Sequence, residues 1–418
     1  MGGVMKIVWQ IVFGAALLFV WFPYAWALDL SFQGFLQGNY TADTAASNPD
    51  GGDFKWAEER AQLQLDVAKD YVQLHLKTDA FYDHVDTDAD VELREGYLDY
   101  VAPSWDVRAG RQIITWGVGD LVFINDVFPK DYEAFFSGRP LEYLKKGVDG
   151  VKAGLYPDFA SFEIVVIPFF EPNNFPDPAR FHLFDPIPGI DRKEEEPATS
   201  LDNVEVAVRA YRNLAGFDAS LYSYRGFFRQ PSALPDDSSA PTRLTLLYPE
   251  LSVYGASLQR NALDGLVSLE AGYYDSREDR DGADPMLPNS QTRFLAGYQR
   301  QLWEDCTLGL QYYVEYMNDY SEYERNVPPG FPREKEWRDL VTVRLTQLLR
   351  HQTLALSWFS FWSQADNDYL LNPEVKYNLT DHLWAAVGGM IFGGEEESTQ
   401  FAQLDENDNV YLQMRYSF

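Results

Sequence analysis

The chain has 418 residues and a formal net charge of −30, because 64 acidic residues outnumber 34 basic ones. So large a negative charge argues against nucleic acid as a partner. The single cysteine, Cys306, excludes an intramolecular disulfide bond. Aromatic residues make up 16% of the chain, which suits β-strands and the aromatic girdles of a membrane barrel.

The amino terminus has the features of an export signal. Lys6 is its only charged side chain, residues 7–21 are apolar, and Ala25-Trp26-Ala27 is a small-x-small cleavage site. Pro23 interrupts an apolar run that is already short for a transmembrane anchor. We therefore predict a signal peptide over residues 1–27, cleaved near Ala27. Residues 28–418 are then predicted to form a single domain.

Connection lengths organise the rest of the chain, where no apolar run is long enough for a transmembrane helix. Eight short turns are predicted, at residues 68–70, 102–104, 157–158, 214–216, 261–263, 303–305, 350–351 and 380–381. Between them lie longer polar segments, at residues 41–53, 81–90, 117–146, 169–202, 227–249, 277–290, 318–334 and 394–408, and one short exception at 365–367. Eight plus nine connections predict about 18 strands. This asymmetry is typical of a transmembrane antiparallel up-and-down β-barrel with short periplasmic turns and long external loops.

The strands alternate as such a barrel requires. From Ala57 onward, Leu63 and Leu65 fall on one parity, and Arg60 and Gln62 fall on the other. We assign the polar parity to the lumen. Aromatic residues close to short turns predict an interface girdle, formed by Tyr71, Trp105, Tyr156, Phe159, Phe217, Trp303 and Trp384. The irregular stretch Val91–Val101 carries Arg94 next to Glu95, which indicates a bulge.

The chain ends in a period-two strand, Asn409–Phe418. Val410, Leu412, Met414, Tyr416 and Phe418 share the apolar parity. This ending resembles the terminal strand of bacterial outer-membrane barrels, whose last residue is typically Phe and serves as the insertion signal. The resemblance implies that Phe418 is an assembly signal for the barrel-assembly machinery.

Residues 110–131 form the strongest internal signature. Gly110-Arg111-Gln112 leads to Trp116-Gly117, and Pro129-Lys130-Asp131 follows an apolar stretch. The pattern resembles a family of largely uncharacterised outer-membrane porin-like proteins with an R-Q-x-x-x-W-G motif and a later P-x-D, which is similar to alginate-export barrels. The resemblance covers roughly residues 105–150, the signal and the last strand. It implies a monomeric outer-membrane channel.

Residues 117–147 contain more apolar side chains than a loop in water can expose, among them Leu121, Phe123, Phe128 and Phe136. Two hypotheses remain open for this stretch. Either it folds into the lumen and narrows the pore, or it forms an external lid packed on neighbouring loops.

Eleven charged residues and Trp116, taken from the polar parity, from this stretch and from its flanks, are candidates for a solute path. They are Arg60, Arg108, Arg111, Trp116, Asp120, Asp126, Lys130, Asp131, Arg209, Arg293, Arg344 and Arg415. If the stretch folds inward, its charges are expected to meet Arg209, Arg293 and Arg344 at the narrowest level. The alternative is that these charges only pair with one another in a solvated lumen.

No enzyme, cofactor or metal site is predicted. The five histidines lie in no hydrolase or metalloprotease motif. Asp86-x-Asp88-x-Asp90 fails as a calcium loop, because Val91 replaces the required Gly and Tyr97 the closing Glu.

We therefore predict a bacterial outer-membrane channel for small or anionic solutes, including oligosaccharides, in contact with membrane lipids and lipopolysaccharide. The alternative is a barrel without a transport function, either a surface protease or lipid enzyme, or an adhesin or structural barrel.

Overall fold

A computed structural model describes residues 28–44, 47–237, 241–328 and 331–418. The predicted signal peptide lies outside these residues. The described strands are, in chain order, β1 Asp29–Asp43, β2 Trp56–Lys69, β3 Val72–Asp83, β4 Asp88–Val101, β5 Trp105–Gln112, β6 Val148–Leu155, β7 Ser161–Ile167, β8 Asp191–Glu195, β9 Glu205–Leu214, β10 Phe217–Phe227, β11 Ser232–Pro235, β12 Arg243–Leu247, β13 Glu250–Ala262, β14 Gly265–Ser276, β15 Gln291–Trp303, β16 Cys306–Met317, β17 Trp337–Leu349, β18 Leu354–Ser363, β19 Asp368–Asn378, β20 Leu383–Gly394 and β21 Asn409–Ser417. Helices are short: α1 Tyr132–Phe136, α2 Tyr320–Asn326, and the 3-10 turns Leu141–Leu144, Leu201–Asn203 and Ala402–Asn407.

Eighteen of the strands form one closed antiparallel barrel. Each strand pairs with the next barrel strand along the chain, with β7 beside β9 and β10 beside β13. Pairing of β1 with β21 closes the barrel. Strands β8, β11 and β12 form a separate three-stranded sheet within the long connections. No helix in the described ranges has the length and apolar character of a membrane-spanning helix. The predicted fold and strand number are confirmed.

One end of the barrel has short turns throughout, and the other has the long connections and two short ones, residues 84–87 and 364–367. One predicted connection was wrong. Residues 81–90 do not form a long loop, because β3 continues to Asp83 and β4 starts at Asp88, with only residues 84–87 between them. Charged side chains remain compatible with strand pairing where a hairpin extends beyond the membrane into water. Polarity alone therefore did not mark the end of the strand.

Burial follows the predicted parity. In β21, Leu412 and Met414 are exposed on the outer surface, whereas Tyr411 and Gln413 are buried towards the lumen. The apolar face of the strand is therefore the outer one, as a membrane barrel requires. The register of β3 against β4 shifts between Lys77 and Thr78, which leaves Arg94 as the extra residue of a bulge.

Six of the seven predicted girdle residues are exposed on the outer surface: Tyr71, Trp105, Tyr156, Phe159, Phe217 and Trp303. Trp384 is the exception, and its assignment to the girdle was wrong. It pairs in register with Arg415, a lumen-facing residue, and the Lys376 ammonium lies 3.9 Å from its ring centroid. Strand parity decides which way a side chain points, and proximity to a turn does not.

Candidate functional site

The connection between β5 and β6, residues 113–147, is here called the lumen segment. Its buried apolar side chains are Ile114, Trp116, Val122, Ile124, Phe128, Phe135, Phe136 and Leu144. They share one core with inward-facing side chains of many strands, including Val165, Tyr222, Val253, Leu295, Phe359, Phe361 and Phe392. The lumen segment is thus in contact with the inner wall of the barrel on several sides.

One anchor of the lumen segment is Glu270 on β14. This carboxylate is only 4% exposed. Its Oε2 accepts hydrogen bonds from the backbone N–H groups of Val118 (2.8 Å) and Gly119 (3.1 Å). Its Oε1 accepts from the backbone N–H (2.9 Å) and the side-chain Nδ2 (2.8 Å) of Asn125. Four donors thus satisfy a buried charge.

Two glycines beside this anchor leave room for the lumen segment. Gly255 on β13 and Gly272 on β14 are direct cross-strand partners. A Cβ atom at Gly255 would lie 1.7 Å from Oδ1 of Asn125, and one at Gly272 would lie 2.6 Å from Cγ2 of Ile124. Only glycine at these positions allows the lumen segment to approach the wall this closely.

A second set of contacts lies on β1, β2 and β21. Thr41 donates to the carbonyl of Ser137 at 2.7 Å, and Asn409 donates to the carbonyl of Phe136 at 3.1 Å. The guanidinium of Arg139 lies 3.5 Å from the carboxylate of Glu58 on β2. Counted around the barrel, β2 is the second strand and β14 the eleventh, a difference of 9 in a ring of 18. The two anchors therefore lie on opposite walls.

Asp120 connects the lumen segment to β16 and β17. Its backbone N–H donates to Gln311 at 2.7 Å, and its carbonyl accepts from Gln311 at 2.8 Å. Its carboxylate pairs with Arg344, whose Nη2 lies 2.9 Å away. The side chains of Arg344 and Asp120 remain 31% and 47% exposed, which distinguishes this charge pair from the buried anchors.

Of the other predicted segment charges, none pairs with Arg209, Arg293 or Arg344. Lys130 is buried and lies 3.0 Å from Asp126, whose other oxygen is 3.5 Å from Lys145. Asp131 caps α1 by accepting from the N–H of Ala134 at 2.8 Å. These groups stabilise the lumen segment itself.

Trp116 packs its ring against Phe128 and Tyr222, at centroid distances of 5.2 and 5.9 Å. Its position in the apolar core makes it a packing residue of the lumen segment.

The predicted wall cations pair with carboxylates of neighbouring strands. Arg209 lies 3.4 Å from Glu163, Arg293 lies 3.0 Å from Glu315, and Arg108 lies 2.7 Å from Asp99. Arg60 is buried between Glu58 and Asp79, at 2.7 and 2.5 Å. Arg415 bonds Gln37 and also pairs with Glu142 of the lumen segment.

Arg111 was wrongly grouped with Arg108 as a lumen charge. An odd spacing on β5 puts the two residues on opposite faces, and Arg111 shares the face of the exposed girdle residue Trp105. Its guanidinium pairs with Asp149 on β6 at 3.1 Å and lies 3.8 Å from Glu171.

The loop that follows β7, residues 168–190, rests on the lumen segment and is here called the cap loop. Asn173 accepts from the N–H of Lys130 at 2.8 Å, and the N–H of Asp177 donates to Glu133 at 2.7 Å. Burial raises the pKa of Glu133 to about 7, although the Asp177 N–H opposes the shift. The cap loop is thus tied to α1 through a buried carboxyl group.

Sequence reasoning missed the pairing of Glu270 with Asn125 and the role of Gln311. A signal for the recess was present, because Gly255 and Gly272 both fall on the lumen parity of their strands. Within the described ranges, no group of three or more His, Cys, Asp or Glu residues is arranged to hold a metal ion.

Comparisons with known proteins give a structural likeness only. No protein-family model matches the chain, and no curated protein sequence matches it. OccK2 (OpdF) of Pseudomonas aeruginosa, solved in complex with glucuronate, has a TM-score of 0.57 and 10% identity, over 93% of this chain and 98% of that chain. OccAB3 of Acinetobacter baumannii has a TM-score of 0.55 and 8% identity, over 93% of this chain and 99% of that chain.

OccD3 (OpdP) of Pseudomonas aeruginosa has a TM-score of 0.55 and 10% identity, over 93% of this chain and 91% of that chain. These neighbours are Occ-type outer-membrane porins. At such low identity, the likeness shows that this chain shares their barrel fold.

Proposed function

We propose that this protein is an outer-membrane channel for small solutes, with a preference for anions, and that the lumen segment narrows its pore. The observation that carries the proposal is the contrast among the segment's wall contacts. Contacts at Glu270, Thr41 and Asn409 are buried, whereas the Asp120–Arg344 pair is partly exposed. Water and solutes pass beside this pair, along the wall of β16 and β17.

Arg344 is the selecting group in this proposal. Its guanidinium stacks 4.6 Å from the ring centroid of Phe359. Among the residues that the structure describes, it pairs with one carboxylate, that of Asp120. A planar guanidinium binds carboxylates through two parallel hydrogen bonds, so a solute carboxylate competes with Asp120 for the same donors. A narrow pore with walls of low dielectric constant concentrates the electric field of a charge on its wall. One charge there therefore changes the ion preference strongly.

A second group of cations supports a preference for anions. Arg108 and Lys152 are cross-strand partners on β5 and β6, and both are partly exposed. Arg108 is neutralised by Asp99. Among the described residues, no carboxylate lies within 4.0 Å of the Lys152 ammonium, which leaves that charge available to a passing anion.

The proposal also includes residues 1–27 as the export signal and Phe418 as the assembly signal. The signal peptide would direct export, and the barrel-assembly machinery would recognise the aromatic end of β21. The exposed apolar band would contact membrane lipids, and the acidic external loops would face lipopolysaccharide. The proposal includes membership of the porin-like family that resembles alginate-export barrels, which rests on the R-Q-x-x-x-W-G pattern of residues 111–117.

The test is conductance of the mature chain, refolded in detergent and inserted into planar bilayers. We expect single channels whose reversal potential in a KCl gradient shows anion preference. Proteoliposomes should take up a small carboxylate such as gluconate faster than a neutral polyol of the same size. An absence of channels from heat-modifiable, folded protein, or a clear cation preference, would contradict the proposal.

A further inference from the structure

Glu270 and the lumen segment each provide the hydrogen-bond partners that the other needs. A buried carboxylate needs hydrogen-bond donors, because water no longer solvates it. The donors here are mostly backbone N–H groups of Val118, Gly119 and Asn125, which themselves need acceptors once they are buried. Neither side is satisfied unless the lumen segment lies against β14.

The recess at Gly255 and Gly272 determines how deeply the lumen segment can sit. Asn125 occupies the space over Gly255, and its Nδ2 also donates to the carbonyl of Ala271 at 3.2 Å. Ile124 occupies the space over Gly272 and is fully buried. The hydroxyl of Tyr274, on the lumen face of β14, donates to the carbonyl of Ile124. Hydrogen bonding and shape thus converge on the same two residues of the lumen segment, Ile124 and Asn125.

We propose that Glu270, Gly255 and Gly272 form a socket that positions the lumen segment and thereby sets the width and ion preference of the pore. The inference rests on the proposed channel function. Glu270 is a positioning residue, because its own charge is buried and acts through the segment. Asp120 follows Gly119, one of the residues that Glu270 holds, so the socket also fixes the distance between Asp120 and Arg344.

The test uses two variants of different chemistry. Glu270→Ala removes the acceptor, and Gly255→Ala places a methyl group where the Asn125 side chain lies. Gly309→Ala is the matched control, because a Cβ at this lumen-facing glycine of β16 would meet no atom closer than 3.7 Å. Heat-modifiability on gels verifies that each barrel is folded.

Two readouts are compared. Amide hydrogen exchange over residues 117–126 should be faster in Glu270→Ala and in Gly255→Ala than in wild type, and unchanged in Gly309→Ala. Single channels of both socket variants should show higher conductance, more open-channel noise and weaker ion preference. Glu270→Gln, which keeps one acceptor oxygen, should be intermediate. In the Gly255→Ala background, Asn125→Ala removes the conflict with the Asn125 side chain, while the new Cβ still lies 2.7 Å from the carbonyl oxygen of Ala271. The double variant should therefore restore part of the wild-type conductance.

The outcomes separate the socket from the channel function. Unchanged exchange in both folded variants would overturn the socket, whatever the conductance. Faster exchange with wild-type conductance and ion preference would overturn its role in setting pore width. Faster exchange in variants of a protein that forms no channels would support the positioning role and refute the proposed function instead.

Discussion

Glu58 and Glu270 lie on opposite walls of the barrel, nine strands apart in either direction, and each carboxylate binds the lumen segment. Glu58 contacts Arg139 near the end of the segment, and Glu270 holds the stretch around Asn125 near its start. The segment therefore crosses the interior from wall to wall. The barrel interior has an apolar core at this level, to which the segment and inward-facing wall residues such as Phe359 both contribute.

Arg344 and Asp120 provide a matched pair of charge variants. Arg344→Gln should shift the reversal potential in a KCl gradient towards cation preference, because Asp120 then remains as the unpaired charge beside the pore. Asp120→Asn should shift it in the opposite direction. Arg225→Gln, on the exposed outer face of β10, is the control. Equal reversal potentials for all four proteins would refute the assignment of the solute path to this wall.

Removal of Glu58 should destabilise the barrel strongly. Its carboxylate is buried and pairs with Arg60 at 2.7 Å and Arg139 at 3.5 Å, so Glu58→Ala leaves two guanidinium groups without it. We expect a loss of about 3–5 kcal/mol. The neighbouring, exposed Glu59→Ala should cost less than about 1 kcal/mol. The denaturant midpoint of each variant is measured with heat-modifiability as the signal of the folded barrel. Similar midpoints for Glu58→Ala and Glu59→Ala would show that the buried pair contributes little.

Phe418 should matter for assembly and not for the pore. Its backbone N–H and carbonyl each bond Gly34 at 2.9 Å, which extends the closure of β21 on β1, and its side chain is 48% exposed on the outer face. Phe418→Ser should lower outer-membrane levels, whereas Phe418→Tyr should keep them. Channels formed by the refolded Phe418→Ser protein should conduct like wild type. Normal membrane levels of that variant would argue against an assembly signal.

Glu133 should make stability depend on pH. Its ordinary pKa of 4.5 rises to about 7 in the folded state, so the folded protein binds this proton more tightly than the unfolded chain. The resulting stabilisation is at most about 3 kcal/mol. It is complete below about pH 4.5 and is lost as the pH rises through 7. Glu133→Gln should therefore reduce the pH dependence of the denaturant midpoint between about pH 5 and 8. Glu397→Gln, on an exposed loop, should leave that dependence as in the wild type. A wild-type slope in Glu133→Gln would exclude this role.

Much of the fold could be predicted from local pattern. Alternation and turn length suffice for an antiparallel barrel, because each strand pairs with its neighbour and only one face can meet lipid. Two predictions were wrong because the same local sequence pattern occurs in two structural contexts. Trp384 lies close to a turn but points inward, and the acidic residues at 83–90 belong to a hairpin.

The candidate site was less predictable, because its contacts join distant parts of the chain. Asp120 and Arg344 are both visible as charges in the sequence, but their pairing depends on how the segment crosses the lumen. The same holds for Asn125 and Glu270, which are separated by 145 residues. Parity predicts which way a side chain points, and it contains no information about which loop meets it.

If the lumen segment narrows a conducting pore, replacement of residues 121–136 by a Gly/Ser linker should widen that pore. The variant should remain heat-modifiable, since the pairing of the barrel strands does not involve these residues. Its single-channel conductance in planar bilayers should exceed that of the wild type measured in the same salt. Conductance equal to wild type within error, from folded protein, would contradict the claim.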